Sequence, residues 1–220
     1  MKYNPDIYHR KSIRLKGYDY SREGAYFITI CTKGTECLFG EISEGIMRIN
    51  LLGEMIRKWW VELTHRFKNI GLDEFIIMPN HIHGIIFIAD NCRDGVSSPL
   101  LKNKTQGQGD PPPTEINSKQ HGGETKEGGE TPPLHENIRK YTLGQIVAYF
   151  KYQTTKDINE SRGTSGIPLW QRNYYEHIIR NEEELSKIRE YIQNNPLKWS
   201  LDRENPERIG VDSLEDEVFR

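Results

Sequence analysis

The residues with the strongest chemical potential are two histidines two positions apart, His81 and His83, and a tyrosine followed one helical turn later by an asparagine, Tyr191 and Asn195. On a strand, positions i and i+2 face the same way, so the two imidazoles would stand on one face, roughly 6 to 7 Å apart along the chain, and could share one cation. Such a pair still needs a third protein ligand and open positions before it can act on a substrate. On a helix, Tyr191 and Asn195 lie one above the other, with about 5 to 6 Å between their Cβ atoms. If that helix crosses the histidine face, the Asn195 amide oxygen can ligate the ion while the Tyr191 hydroxyl points at a substrate beside it. Taken singly, each feature has an ordinary structural reading: hydrogen-bonded histidines, a half-buried tyrosine, a polar residue before Pro196. Their combination is what suggests chemistry.

The elements that must position these residues are readable from periodicity. Residues 73 to 89, DEFIIMPNHIHGIIFIA, read as two apolar strands joined at a tight Met78-Pro79-Asn80 break, with the histidines opening the second. Asn181 and the three glutamates after it cap a helix whose core positions are Leu185, Ile188 and Ile192, and Pro196 ends it. Upstream, Ala25 to Thr32 suits a buried strand, and short strands are expected at 37 to 42 and 45 to 50. Asn50 caps a helix with the apolar stripe Leu52, Met55, Ile56, Trp59, Trp60, Leu63 and Phe67. Thr142 to Gln145 has the capping-box form before a second amphipathic helix, and Pro168 to Arg180 offers another strand. The order strand, helix, strand, strand, helix, strand, helix predicts an α+β fold. It is that of a ferredoxin-like antiparallel sheet with its helices on one face and an added C-terminal helix carrying the tyrosine.

Residues 91 to 137 interrupt this pattern with seven of the nineteen glycines, six of the eleven prolines and no aromatic residue, too little apolar content to fold. The chain of 220 residues is therefore expected to be one domain, 1–220, with a disordered insertion at 91–137 and an acidic tail at 201–220. No apolar run is long enough to span a membrane or serve as a secretory signal, so a soluble, cytoplasmic protein is expected. Cys31, Cys37 and Cys92 are odd in number and show no paired spacing, which excludes a disulfide framework and reads as reduced thiols. The net charge of −2 is low for a nucleic-acid binder, but residues 2 to 22 carry six cations against two acids, whereas residues 203 to 220 carry six acids against three arginines. The basic start is the end suited to phosphate.

Three blocks in order carry a family resemblance: Met78-Pro-Asn-His-Ile-His-Gly84, Trp170-Gln-Arg-Asn-Tyr-Tyr-Glu-His-Ile-Ile-Arg180 and Tyr191-Ile-Gln-Asn-Asn-Pro196. From Gly24 to Trp199, apart from the insertion, the chain resembles the REP-associated tyrosine transposases of the HUH superfamily, single-strand nucleases named for two histidines flanking a hydrophobic residue. The resemblance implies that Tyr191 is the nucleophile, that His81, His83 and Asn195 hold a divalent metal, Mg2+ or Mn2+, and that the partner is single-stranded or hairpin DNA from repeats. It further implies a 5′-phosphotyrosine and a free 3′-OH, an adduct that retains the bond energy so that strands can be rejoined, hence transposition and recombination. A phenol of pKa about 10 is mostly protonated at neutral pH, so a cation beside it has to lower that value.

Candidate DNA contacts are Arg139, Lys140, Lys151 and Arg172 for phosphate and Tyr174 and Tyr175 for stacking, although strand alternation should turn one of those two tyrosines into the core. His177 could assist the site as a hydrogen-bond partner or proton carrier. Two rival readings stay open. One is a small zinc hydrolase in which Glu176 or Asp73 completes the histidine site, and the other is a non-catalytic nucleic-acid-binding module on the same sheet. Monomer and homodimer are equally compatible with the sequence.

Overall fold

The computed structural model describes residues 17–89 and 140–214. The basic stretch 2 to 16, Cys92, the insertion 91–137 and Arg139 lie outside the described residues, as does the end of the acidic stretch from 215.

Four strands make the main sheet: β1 (Gly24–Cys31) and, separated from it by a small hairpin and a helix, β4 (Ile70–Ile77), β5 (His81–Ile88) and β6 (Tyr175–Ile179). Their order is β4-β5-β1-β6 with every neighbouring pair antiparallel, which is the ferredoxin-like arrangement. The hairpin, β2 (Gly40–Ser43) with β3 (Ile46–Ile49), forms its own two-stranded sheet. Its turn at Glu44 and Gly45 has φ of 54° and 75°, the left-handed pair that matches strand twist.

Side-chain alternation along β1 and β5 builds two cores. Tyr26, Ile28, Ile30, Ile82, Ile86 and Ile88 face α1 (Leu51–Arg66) and α2 (Leu143–Ser161). Ala25, Phe27, Ile85 and Phe87 face α3 (Glu182–Asn194), which contributes Leu185, Ile188, Tyr191 and Ile192. The added helix thus covers the face left bare by the first two. The helices α1, α2 and α3 begin where expected: Asn50 accepts from Leu52 and Gly53 N–H, Thr142 and Gln145 form the reciprocal capping box, and Asn181 accepts from Glu184 N–H.

Three differences from the sequence reading have physical causes. The last strand is shorter than Pro168 to Arg180, because Lys151 on α2 donates to the carbonyls of Gln171, Arg172 and Asn173 and holds that stretch as a loop. Before the loop, Trp170 is bridged to Thr32 and its indole donates to Thr154 Oγ1 at 2.8 Å. Pro196 ends α3, but the chain does not leave the domain there. It tightens into a 3-10 helix, Asn195–Leu201, since a proline near the start costs no hydrogen bond that the turn needs. As a result Asp202 and Asp212, in the stretch read as an acidic tail, are buried. Among the described residues no helix is long and apolar enough to cross a membrane.

Candidate active site

β5 opens the site. His81 and His83 are both fully buried, on the α3 side of the sheet, because their register partners are Cys31 and Thr29 on the same face of β1. The glycine after them matters from behind. A Cβ on Gly84 would stand 2.5 Å from the Trp60 ring, so its absence lets Trp60 lie directly on the strand, stacked on Phe75 at 4.3 Å. The rigid helix-side core thereby fixes the strand that carries the histidines.

Each imidazole is oriented through Nδ1. His81 Nδ1 is 2.8 Å from Asn80 Oδ1, while Asn80 Nδ2 donates to the carbonyls of Thr35 at 3.2 Å and Glu204 at 2.7 Å. With the amide nitrogen committed to two acceptors, Asn80 Oδ1 must be the acceptor for His81, so His81 carries its proton on Nδ1 and its Nε2 is a bare lone pair. His83 Nδ1 is 2.9 Å from Thr29 Oγ1, which can accept from the same tautomer and turns the second Nε2 lone pair toward His81 and Tyr191. The two Nε2 atoms are 3.0 Å apart. Burial pushes both imidazoles below the ordinary histidine pKa, His83 well below, with His81 and Arg203 lowering it further. At His81 burial outweighs the opposing pull of Asp202 and Glu204, so both rings are neutral near pH 7 and available as ligands.

Over this pair lies α3. The Tyr191 hydroxyl is 3.2 Å from His83 Nε2, and its ring is wedged edge-on against Phe27 while Phe27 stacks on His83 at 5.4 Å. Tyr191 is 2% exposed. One turn on, Asn195 is equally buried, and its Oδ1 has no hydrogen-bond partner among the described residues. A second orphaned oxygen is Asp202 Oδ2, 3.6 Å from His81 Nε2. His81, His83 and Asp202 form a group whose ligand atoms all lie within 4.8 Å of one another and that could hold a metal ion.

A cation fits this donor set. Two donors bonded at ~2.1 Å to one ion stand about 3.0 Å apart at right angles and about 3.4 Å apart at the tetrahedral angle. The Nε2 separation of 3.0 Å is short enough for one ion to take both nitrogens. Buried oxygens without donors are costly in an apolar setting and are relieved by positive charge.

The other residues singled out in the sequence are distributed around this centre. Tyr175 pairs with Thr29, which pairs with His83, so it shares the site's face, half-buried against Phe27. Tyr174 packs against the other core. Lys151 spends its amine on three backbone carbonyls, whereas Arg172 and Lys140 are exposed. His177 pairs with Glu184 at 2.7 Å and ties β6 to the start of α3. Of the carboxylates weighed for a zinc hydrolase, Glu176 is opposite Ile28 and therefore on the α1/α2 face, and Asp73 is held by Arg189 at 3.1 Å. Among the described residues, the carboxylate grouped with the histidines is Asp202. Sequence reasoning missed it together with Asn80 and Thr29, although Trp199 and Leu201 just before it are apolar enough to mark a stretch that packs.

No protein-family model matches the chain. An uncharacterized protein of Haemophilus influenzae is 41% identical over 203 residues, covering 92% of this chain and 96% of its own length. A candidate REP-associated tyrosine transposase of the same organism is 36% identical over 75 residues, 30% of this chain and 40% of its own. Among solved structures, a REP-associated tyrosine transposase bound to a REP hairpin overlays with a TM-score of 0.44 at 14% identity, covering 84% of this chain and 73% of that one. A candidate transposase from Deinococcus radiodurans overlays with a TM-score of 0.40 at 11% identity, covering 82% and 95%. The chain belongs to one family with the 41%-identical Haemophilus influenzae protein, and it resembles the REP-associated tyrosine transposases.

Proposed function

We propose that the chain is a single-stranded DNA endonuclease and strand transferase of transposase type, acting through a 5′-phosphotyrosine on Tyr191 with hairpin-forming repeat DNA as substrate. The observation that carries this reading is the Tyr191 hydroxyl 3.2 Å from the Nε2 of His83, one of two paired imidazoles. The three sequence blocks support it, as does the partial likeness to a relative named for that activity.

His81, His83 and Asn195 would hold Mg2+ or Mn2+, and the ion when bound would supply positive charge for the phosphate oxygens and the phenolate. The protein's own part is positional. Phe27 and the α3 core hold the Tyr191 ring, which leaves only its hydroxyl to be aimed. In the cut, a bond forms between Tyr191 Oη and phosphorus as the bond from phosphorus to the 3′ oxygen breaks. The phenolic proton leaves to solvent and the 3′ oxygen takes one up. Joining is the reverse with a second 3′-OH, and needs no ATP. Because Tyr191 is buried, the side chains over it must shift before a phosphate reaches the hydroxyl. Arg172 and Lys140 are the exposed cations proposed to meet the DNA backbone, and Tyr175 is the aromatic on the site's face.

Incubation with a labelled hairpin oligonucleotide and Mn2+ tests the reading. A denaturation-resistant protein-DNA adduct supports it, metal-dependent cleavage without an adduct would mean a hydrolase, and binding without cleavage would mean a binding module.

A further inference from the structure

The geometry points to Asp202 as a further ligand of the same cation, delivered by the segment that follows the tyrosine helix. This rests on reading the histidine pair as a metal site, and not on the DNA chemistry assigned to Tyr191.

The Asp202 carboxylate has two oxygens with different fates. Oδ1 accepts the backbone N–H of Glu204 at 2.7 Å, an ordinary local turn. Oδ2 has no hydrogen-bond partner among the described residues, on a side chain that is itself fully buried, and it faces His81 Nε2 at 3.6 Å. Since the Asn80 hydrogen bonds place the His81 proton on Nδ1, this contact sets a carboxylate oxygen against a lone pair, two acceptors with no donor between them. A divalent ion bound by both turns that repulsion into coordination.

The fold commits to this placement. The 3-10 helix Asn195–Leu201 carries the chain back over β5, and its last turn is closed by Asp202 N–H donating to the Lys198 and Trp199 carbonyls. Trp199 covers the His81 ring at 6.1 Å. Asn80 then binds both partners, orienting His81 through Oδ1 and holding the Glu204 carbonyl through Nδ2. Beside the two imidazoles and the Asn195 amide, the Asp202 carboxylate would add a hard anionic donor, which favours Mn2+ or Mg2+.

The test titrates Mn2+ into the full-length protein and into D202N, D202A and H81A, reading free Mn2+ by electron paramagnetic resonance and the cation-induced rise in melting temperature. D202N and D202A should each bind Mn2+ at least about 10-fold more weakly than the wild type. D202N without cation should melt at or above the wild-type temperature, because an Asn amide can donate to His81 Nε2 where the carboxylate could not; a merely structural Asp202 would instead lower it. Wild-type Mn2+ affinity in D202N and D202A alongside its loss in H81A overturns the role of Asp202 and leaves the histidine site standing. Equal binding by H81A and the wild type, or no binding by either, overturns both.

Discussion

Tyr191 and His83 are 108 positions apart in the chain, yet the tyrosine hydroxyl and the imidazole Nε2 approach to 3.2 Å in a buried contact. Two independent packings produce it. The α1/α2 face fixes β5 through Trp60 on Gly84, and the opposite face fixes α3 through Leu185, Ile188 and Ile192. The sheet between them is the shared reference, so changes on one face are expected to be felt on the other.

Gly84→Ala tests that coupling. The new Cβ meets the Trp60 ring at 2.5 Å and Phe75 at 3.2 Å, and both rings are packed in the core. Overpacking of this kind costs about 1–3 kcal/mol. Chemical denaturation should show a loss in that range, with weaker Mn2+ binding because the histidine strand shifts. A variant as stable as the wild type would show that Trp60 has room to move.

Asn80→Ala removes the acceptor that holds the His81 tautomer and the donor to Thr35 and Glu204. Loss of an orienting partner of this type lowers metal affinity by about 10- to 100-fold. Isothermal titration with Mn2+ checks this, and unchanged affinity would mean that His81 is held by packing alone.

The histidines also set a pH dependence. Both have folded-state pKa values below the ordinary 6.5, chiefly through burial. As the pH falls below that value the unfolded chain takes up protons that the folded chain refuses, so stability should fall from about pH 6.5 downward and be constant above it as far as these groups are concerned. Urea unfolding at pH 7.5 and 5.5 should show the loss, and His83→Gln should reduce it. A wild-type midpoint that does not change between these values would contradict neutral burial of the pair.

Much of this arrangement was legible in the sequence. The stripe from Leu52 to Phe67, the caps at Asn50, Thr142 and Asn181, and the break at Met78 to Asn80 are local signals, and each produced the element expected. His81, His83 and Tyr191 were readable because spacing within a strand or helix decides which side chains share a face. Asp202 was not, since its burial depends on a 3-10 helix reversing over β5 and on Asn80 reaching Glu204, contacts between distant segments that no periodicity records. The extent of the last strand failed for a similar reason: Lys151, twenty residues upstream of Gln171, holds the loop open.

The proposed function stands on the Tyr191 hydroxyl forming the bond to DNA. Tyr191→Phe removes one oxygen and keeps the ring that packs against Phe27 and His83, so folding and strand binding should persist. The direct measurement is mass spectrometry of the adduct trapped with a hairpin oligonucleotide and Mn2+. A nucleotide is expected on the peptide containing Tyr191, with no adduct or nicking from Tyr191→Phe and with Tyr174→Phe and Tyr175→Phe still forming the adduct; a nucleotide on any other tyrosine, or full cleavage by the Tyr191→Phe protein, would rule out Tyr191 as the nucleophile.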